Sequence, residues 1–292
     1  MKGKAKLLTA MLIWGSLGLF VKNINLPSSE IALFRGVIGS IFLLGASLLI
    51  KQKKSYGAIK ENAVLLILSG AALGFNWILL FEAYRYTTIS NATLSYYFAP
   101  IFVMVLAPFI LKEKLRLFNV ISIAAAMLGL FLVNMGGASG GASGNHTIGI
   151  LYGLSAAALY ASVVLFNKFI KNLPGFETTM IQLLIAVIVL FPYVLLKDNL
   201  DFSSLNVRSI VFMVIVGIIH TGFAYFLYFT SIKDLKGQTI ALLSYLDPIS
   251  AVIFAAIFLS ESMNMVQIIG GILILGSTYL SDRMEMRVKK AA

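Results

Sequence analysis

Residues 74–101 read GFNWILLFEAYRYTTISNATLSYYFAPI, and residues 222–249 read GFAYFLYFTSIKDLKGQTIALLSYLDPI. Laid over one another without a gap, at an offset of 148, they pair Gly74 with Gly222, Phe75 with Phe223 and Leu79 with Leu227. Leu94 then meets Leu242, Tyr97 meets Tyr245, Pro100 meets Pro248 and Ile101 meets Ile249. The same offset carries Glu113 onto Glu261, and an offset of 147 pairs LPSSE (26–30) with LPGFE (173–177). Apolar segments supply Leu and Gly matches by chance, but Pro, Tyr and Glu matches at one offset are much harder to obtain that way. The chain reads as an internal duplication. The low-complexity stretch GGASGGASGN (136–145) falls near its midpoint, with the composition of a flexible linker. The expected division is a first repeat at 1–135, a linker at 136–147 and a second repeat at 148–292.

Hydrophobic residues make up 59% of the chain and charged ones 12%, against about 25% charged in soluble domains. Too little polar surface remains to cover a soluble core, so the composition indicates an integral membrane protein. Apolar windows of spanning length fall at 5–22, 31–50, 63–84, 90–111, 117–135, 148–167, 177–196, 209–229, 238–259 and 265–281. Alternating ten-residue patterns of a membrane barrel are absent. The expected fold is all-α, with ten transmembrane helices. Each repeat then holds five spans, an odd number, so the second lies upside down relative to the first. Inverted repeats are an architecture of transporters, which bind substrate near the midplane where the repeats meet.

The net charge of +11 would suggest nucleic acid in a soluble protein. Its distribution says otherwise. With a cytoplasmic amino terminus, 18 of the 23 basic residues fall on the cytoplasmic side and 4 outside, with Arg35 inside a span. That bias is the positive-inside rule. It places both termini in the cytoplasm and implies the lipid bilayer, with no nucleic acid, as partner. The first 22 residues have the charge pattern of a signal peptide, but Trp14 interrupts the apolar run and no A-x-A-like site ends it. They are expected to remain as the first span. Cysteine is absent, so disulfide and thiolate chemistry are excluded.

Asp247 lies about ten residues into its span. A carboxylate at that depth costs roughly 2.5–3.5 kcal/mol on insertion scales, which argues for a cavity or a partner beside it. Pro248 cannot donate to the carbonyl of Ser244, and Pro100 does the same to Tyr96; both are expected to kink their helices. Free carbonyls at that depth are tolerated where they line water or a substrate path. Ala99 stands where the second repeat has Asp247, so the carboxylate is supplied by one half alone.

Other polar residues within spans extend the candidate site. His220 can titrate near neutral pH. Arg35 can snorkel to the headgroups or project inward to meet a carboxylate, and Gln182 occupies its matching place in span 7. Asn76 is either cavity-facing or interhelical glue. Of 21 Phe, 12 Tyr and 2 Trp, most must be core, lipid contacts or interfacial belts. Trp14 stands out because it lies mid-span, and Tyr96, Tyr97 and Tyr245 because they lie within a turn of the prolines. Tyr225 and Tyr228 are weaker candidates. Together these rings can wall a pocket for an aromatic or cationic group. SIAAAMLG (122–129) and GGILILGS (270–277) carry the small residues that let helices approach closely. Spans 5 and 10 therefore read as scaffold, or as a face suited to a homodimer.

No Walker loop, H-E-x-x-H or G-x-S-x-G elbow is present, nor any metal-ligand grouping around His220, so neither enzyme, metal nor cofactor is expected. IWGS (13–16), ALFRG (32–36), YYFAPIFVMVLAPFILKEKL (96–115) and LSYLDPISAVIFAAIFLSESM (243–263) together resemble the drug/metabolite transporter superfamily, in its EamA branch of ten-helix carriers. The resemblance covers nearly the whole chain. It implies a basket of two inverted five-helix repeats around a central cavity, in a bacterial inner or plasma membrane, with spans 5 and 10 away from the cavity. Characterised relatives export amino acids and other small metabolites. The expectation is thus a secondary transporter for a small-molecule substrate, amino acids or similar compounds moving outward. Asp247, with His220, is the coupling candidate. The competing readings are an organic-cation carrier with an aromatic cage, and a membrane receptor or scaffold without flux.

Overall fold

The computed structural model describes residues 3–49, 55–87, 89–135, 145–197, 205–258 and 265–291, and there its secondary structure is helical. The first half comprises α1 (Gly3–Gly15), α2 (Leu17–Val21), α3 (Ser28–Leu49), α4 (Tyr56–Glu61), α5 (Ala63–Tyr86), α6 (Ile89–Tyr96), α7 (Ala99–Ile110) and α8 (Leu117–Met135). The second comprises α9 (His146–Phe169), α10 (Gly175–Lys197), α11 (Val207–Ile215), α12 (Ala224–Asp234), α13 (Gly237–Ser244), α14 (Leu246–Phe258) and α15 (Met265–Ala291). Between α11 and α12 the helix continues as a wide π-type segment, Val216–Phe223. Residues 136–144, nearly the whole Gly/Ser stretch, and Glu261 lie outside the described residues.

Eight helices among the described residues are long and apolar enough to cross a membrane: Gly3–Val21, Ser28–Leu49, Ala63–Tyr86, Asn91–Ile110, His146–Phe169, Gly175–Lys197, Val207–Asp234 and Gly237–Phe258. The other two expected spans are shorter apolar helices, Leu117–Leu132 and Met265–Ser281. At 1.5 Å per residue these apolar stretches reach about 24–26 Å, against a hydrocarbon core of about 30 Å, while the helices that carry them, α8 and α15, run on to Met135 and Ala291. Large apolar side chains such as Ile41, Ile67, Phe109 and Ile188 point outward, as lipid contact requires and water would penalise. The protein is a multi-pass membrane protein.

Packing follows an exchange rule. α5 lies along α9 and α10, α12 lies along α1, and α3 lies along the wide segment and α10. α9 also meets α6 and α7, as α1 meets α14. Moving each helix to its sequence counterpart in the other half turns α5–α9 into α12–α1, and α9–α7 into α1–α14. α3–α10 and α8–α15 map onto themselves. The principal core joins Leu7, Leu73, Leu183 and Phe229, contributed by both halves.

Glycine sets the tightest crossings. A Cβ on Gly39 would lie 2.9 Å from Gly222 N and 3.0 Å from the Gly217 carbonyl, so α3 can rest against the wide segment only without a side chain there. A Cβ on Gly129 would meet the Gly270 carbonyl at 2.5 Å, which accounts for the small-residue stripes of α8 and α15: the two helices pack on each other.

The proline-bearing spans differ in detail from kinked continuous helices. Each is two helices, broken at Tyr97–Phe98 and at Tyr245. Pro100 and Pro248 lie in the first turn of α7 and α14, where the missing N–H costs nothing and the fixed φ suits a helix start. The carbonyl recruited at the first break is that of Tyr97, not Tyr96: it accepts from Tyr245 Oη at 3.3 Å.

Candidate functional site

The two breaks meet. Tyr97 Oη donates to Asp247 Oδ2 at 3.2 Å, while Tyr245 Oη reaches back to the Tyr97 carbonyl. Asp247 opens the first turn of α14, where the unsatisfied N–H groups of the helix favour a negative charge. Ser250 Oγ donates to the Asp247 carbonyl at 2.8 Å and so tightens that turn.

From Tyr97 a continuous run of rings leads away. Tyr97 to Tyr96 is 6.0 Å between centroids, Tyr96 to Tyr160 5.9 Å and Tyr160 to Tyr228 6.0 Å. Trp14 follows at 5.0 Å from Tyr228 and 4.9 Å from Tyr225, and Trp77 lies 6.2 Å beyond Tyr225. All lie within the range of favourable aromatic pairing. At the far end the Arg35 guanidinium stands 5.1 Å above the Trp77 ring. Its Nε is buried without a hydrogen-bond partner, and it has no ion pair among the described residues. Tyr225 lies within electrostatic reach of both Arg35 and Asp247. A lone cation and a lone carboxylate thus face one aromatic belt, each contributed by one half of the chain.

Trp14 anchors the belt. Its Nε1 donates to the His220 carbonyl at 2.8 Å. The carbonyl belongs to the wide segment, where Thr221 Oγ1 also bonds back five residues to the Val216 carbonyl at 3.2 Å. Ser16 Oγ lies 3.0 Å from His220 Nε2, and the Phe20 ring lies 4.8 Å from the imidazole. His220 Nδ1 is buried with no hydrogen-bond partner. Gly15, between Trp14 and Ser16, admits Ser250: a Cβ there would lie 2.9 Å from the serine Cβ. Each residue of W-G-S therefore has a distinct contact.

Of the residues singled out in the sequence, Trp14, Arg35, Tyr96, Tyr97, Tyr225, Tyr228 and Asp247 are brought together in this belt, and Tyr245 braces it. His220 lies behind Trp14 and meets the belt through its carbonyl. Asn76 is fully buried and spends its amide on the Ala156 carbonyl at 2.7 Å, joining α5 to α9. Gln182 does the same work deeper in the bundle, donating to Ser69 Oγ at 2.6 Å and Asn167 Oδ1 at 3.2 Å. Trp77 and Tyr160 are members the sequence did not mark; among so many aromatics, neither sits beside a break or an ionisable group in sequence.

Cavities lie at both ends of the bundle, beyond the belt. One, of about 330 Å³, is bounded by Pro27, Ser28, Phe81, Tyr84, Arg85, Tyr193 and Lys197. The other, of about 250 Å³, is bounded by Lys4, Glu113, Lys168, Lys233, Asp234, Lys236 and Thr239. Tyr84 lies within electrostatic reach of both Arg35 and Tyr97, linking the first cavity to the belt. At the second, the Glu113 carboxylate accepts the Gly237 N–H at 2.9 Å, and Gln238 Nε2 donates to the Lys114 carbonyl at 3.0 Å.

Comparison with known proteins agrees with this architecture. The model of the EamA-like transporter family matches residues 1–135 and 147–281. The uncharacterized transporter YxxF of Bacillus subtilis is 32% identical over 94% of this chain and 88% of its own. Mouse solute carrier family 35 member G1 is 24% identical over 89% of this chain and 72% of its own. One solved crystal structure superposes with a TM-score of 0.82 over 99% of both chains at 18% identity, a likeness of fold alone.

Proposed function

The chain belongs to the EamA-like transporter family, and on that premise we propose that it carries amino acids or closely related zwitterionic metabolites outward across the cell membrane, with a proton as the coupling ion. The protein is a transporter and not an enzyme. The zwitterion is suggested by one observation: the aromatic belt is held between an unpaired Arg35 and Asp247. A substrate carboxylate completes the Arg35 guanidinium, which presents paired N–H donors in a planar fork. Its amino group competes with a proton for Asp247, and the rings shield both contacts from water while accepting the side chain.

The transport cycle in this reading is alternating access about the two broken spans, with α8 and α15 as static scaffold. Ten helices cross the bilayer as two inverted repeats divided near 136–147, and both termini face the cytoplasm. The exchange rule of the packing and the basic bias of alternate loops support that arrangement. The cavity at Arg85 is then the outer mouth and that at Lys233 the inner one. His220 sits behind Trp14 as the second candidate for coupling, its Nδ1 buried without a hydrogen-bond partner among the described residues.

The experiment is counterflow in proteoliposomes with amino acids, amines and sugar nucleotides as competing solutes. Saturable exchange of amino acids that disappears in Asp247→Asn and Arg35→Gln is the expected result; exchange that survives in both variants would sink the reading. The belt beside Asp247 also favours a second reading, an organic-cation carrier. Under it tetraethylammonium competes, amino acids do not, and Arg35→Gln leaves exchange unchanged.

A further inference from the structure

Arg85 and Lys233 are separated by the 148-residue offset that aligns Tyr97 with Tyr245. They occupy equivalent sequence positions at opposite ends of the bundle, and each lines the cavity at its own end. Arg85 closes the last turn of α5, whereas Lys233 donates to the Leu173 carbonyl at 2.8 Å, beside the apolar cluster that packs on the first turn of α5. A repeat that merely preserved the positive-inside bias would place no such cation at the Arg85 end.

Charge is unbalanced in both cavities. At the first, Arg85 and Lys197 face a single carboxylate. Glu82 Oε1 is met by Tyr193 Oη at 2.7 Å, Arg85 Nη1 at 3.3 Å and Lys197 Nζ at 3.4 Å. That carboxylate engages one nitrogen of Arg85 and the ammonium of Lys197, while a guanidinium carries five N–H donors and an ammonium three. Ser28, the first residue of α3, borders the same space, and Glu30 in the first turn of that helix offsets its positive end. At the second, four lysines surround two carboxylates, and both are engaged: Glu113 by the Gly237 N–H and Asp234 by Lys6 at 4.0 Å. Lys168 and Lys233 donate to the backbone carbonyls of Leu235 and Leu173, which are neutral acceptors, and Lys168 also lies within electrostatic reach of Glu113 and Asp234. Each cavity has room for a small anionic group, since a water occupies about 30 Å³.

We infer that the two cavities are equivalent docking sites for an oxyanion of the transported solute, a carboxylate, taken by Arg85 and Lys197 at one mouth and by Lys233 and Lys168 at the other. The inference rests on the transport reading above and narrows its substrate class. The solute must carry a carboxylate, and Arg35 lies between the two mouths as the cation that receives it. A simple amine would be repelled twice before reaching Asp247.

Because the chain contains no cysteine, the local potential can be read directly. Ser28→Cys is made in the full-length purified protein and labelled with an anionic and a cationic methanethiosulfonate of similar size. The anionic-to-cationic rate ratio should exceed that of free 2-mercaptoethanol by about fivefold, the scale of one unit charge acting at roughly 8 Å through water on opposite reagents. Arg85→Gln or Lys197→Gln should return it to the free-thiol value. Thr239→Cys with Lys233→Gln makes the same test at the other mouth. Sodium acetate should slow the anionic labelling of both thiols. A ratio at the free-thiol value, or one indifferent to the Arg85 and Lys233 substitutions, overturns the sites. Protection by inorganic phosphate but not by acetate overturns the carboxylate assignment. The readout requires no flux. Flat labelling with intact amino-acid counterflow removes these sites alone, whereas biased labelling without counterflow of any solute removes the transport reading.

Discussion

The Tyr97 hydroxyl holds the Asp247 carboxylate at 3.2 Å across the interface of the two broken spans. Because Tyr97 and Tyr245 are equivalent under the 148-residue offset, their roles can be compared directly: Tyr245 reaches the Tyr97 carbonyl, and Tyr97 reaches a side chain. Ala99 stands where a second carboxylate would be. The two halves therefore make the same crossing with different chemistry, and the ionisable contact exists once. If that contact is the coupling site, Tyr97→Phe removes a donor from the carboxylate but leaves the titrating group in place, a loss on the scale of about 1–3 kcal/mol. Asp247→Asn removes the titrating group itself. Counterflow should fall about tenfold in Tyr97→Phe, the equivalent of about 1.4 kcal/mol, and remain pH-dependent. In Asp247→Asn it should lose its pH dependence. Equal pH profiles in wild type and Asp247→Asn would remove the coupling role.

Gly39 and Gly45 lie on the same helix and provide a controlled pair. A Cβ at Gly39 meets backbone of the wide segment at 2.9 and 3.0 Å, whereas nothing lies within 4 Å of one at Gly45. Backbone cannot swing aside as a side chain can, so Gly39→Ala should destabilise the protein by about 1–3 kcal/mol. Gly45→Ala should be neutral, or gain up to about 1 kcal/mol of helix propensity. Unfolding in sodium dodecyl sulfate checks both. Similar midpoints for the two variants would refute the close approach of α3 to the His220 segment.

Much of this was legible before any coordinates, because insertion energetics write themselves into composition. A carboxylate beside a proline in an apolar run, repeated without the carboxylate 148 residues earlier, pointed to these two spans as kinked helices and to Tyr97, Tyr245 and Asp247. The break itself lies at the tyrosines, since a proline in a first turn permits a new helix rather than bending an old one. Arg35 was visible as an isolated cation, but the ring beneath it was not. Nothing in the sequence separates Trp77 or Tyr160 from aromatics that face lipid. The wide segment was equally silent, because one extra residue per turn leaves an apolar run unchanged; Gly217 and Gly222 flanking His220 and Thr221 are the signal that could have suggested it. Asn76 and Gln182 illustrate the opposite limit. An amide in a span announces a hydrogen bond, and only the packing tells that a neighbouring helix receives the N–H of each, while the amide oxygens keep no partner among the described residues.

Trp14 offers a separation of ring from hydrogen bond. Trp14→Phe keeps an aromatic between Tyr225 and Tyr228 but abandons the His220 carbonyl, and Trp14→Ala loses both. Leaving a buried acceptor without its partner costs about 1–3 kcal/mol, so both variants should unfold earlier than wild type. Counterflow per folded molecule should survive largely in Trp14→Phe and collapse in Trp14→Ala. Equal activity in the two would exclude the ring from the substrate path.

Glu113 ties the end of α7 to the start of α13. Lys112 adopts φ of 55°, in the left-handed region, and turns the chain so that the Glu113 carboxylate meets the Gly237 N–H at 2.9 Å. That N–H is one of the orphan donors of a helix start, and a carboxylate there gains both a charge-assisted bond and the helix dipole. The contact joins the first half to the second beside the cavity lined by Lys233, so in the transport reading it must break before that mouth can widen. Glu113→Gln keeps the shape and loses the charge, at a cost of about 1 kcal/mol, or about fivefold in the population of the state with this mouth open. A neutral probe separates opening from potential: N-ethylmaleimide should label Thr239→Cys about fivefold faster in Glu113→Gln. If the two mouths open alternately, it should label Ser28→Cys at the opposite mouth correspondingly more slowly. Unchanged rates at both positions would show that the Glu113–Gly237 contact does not hold the mouth shut, and a rise at both would contradict alternating access.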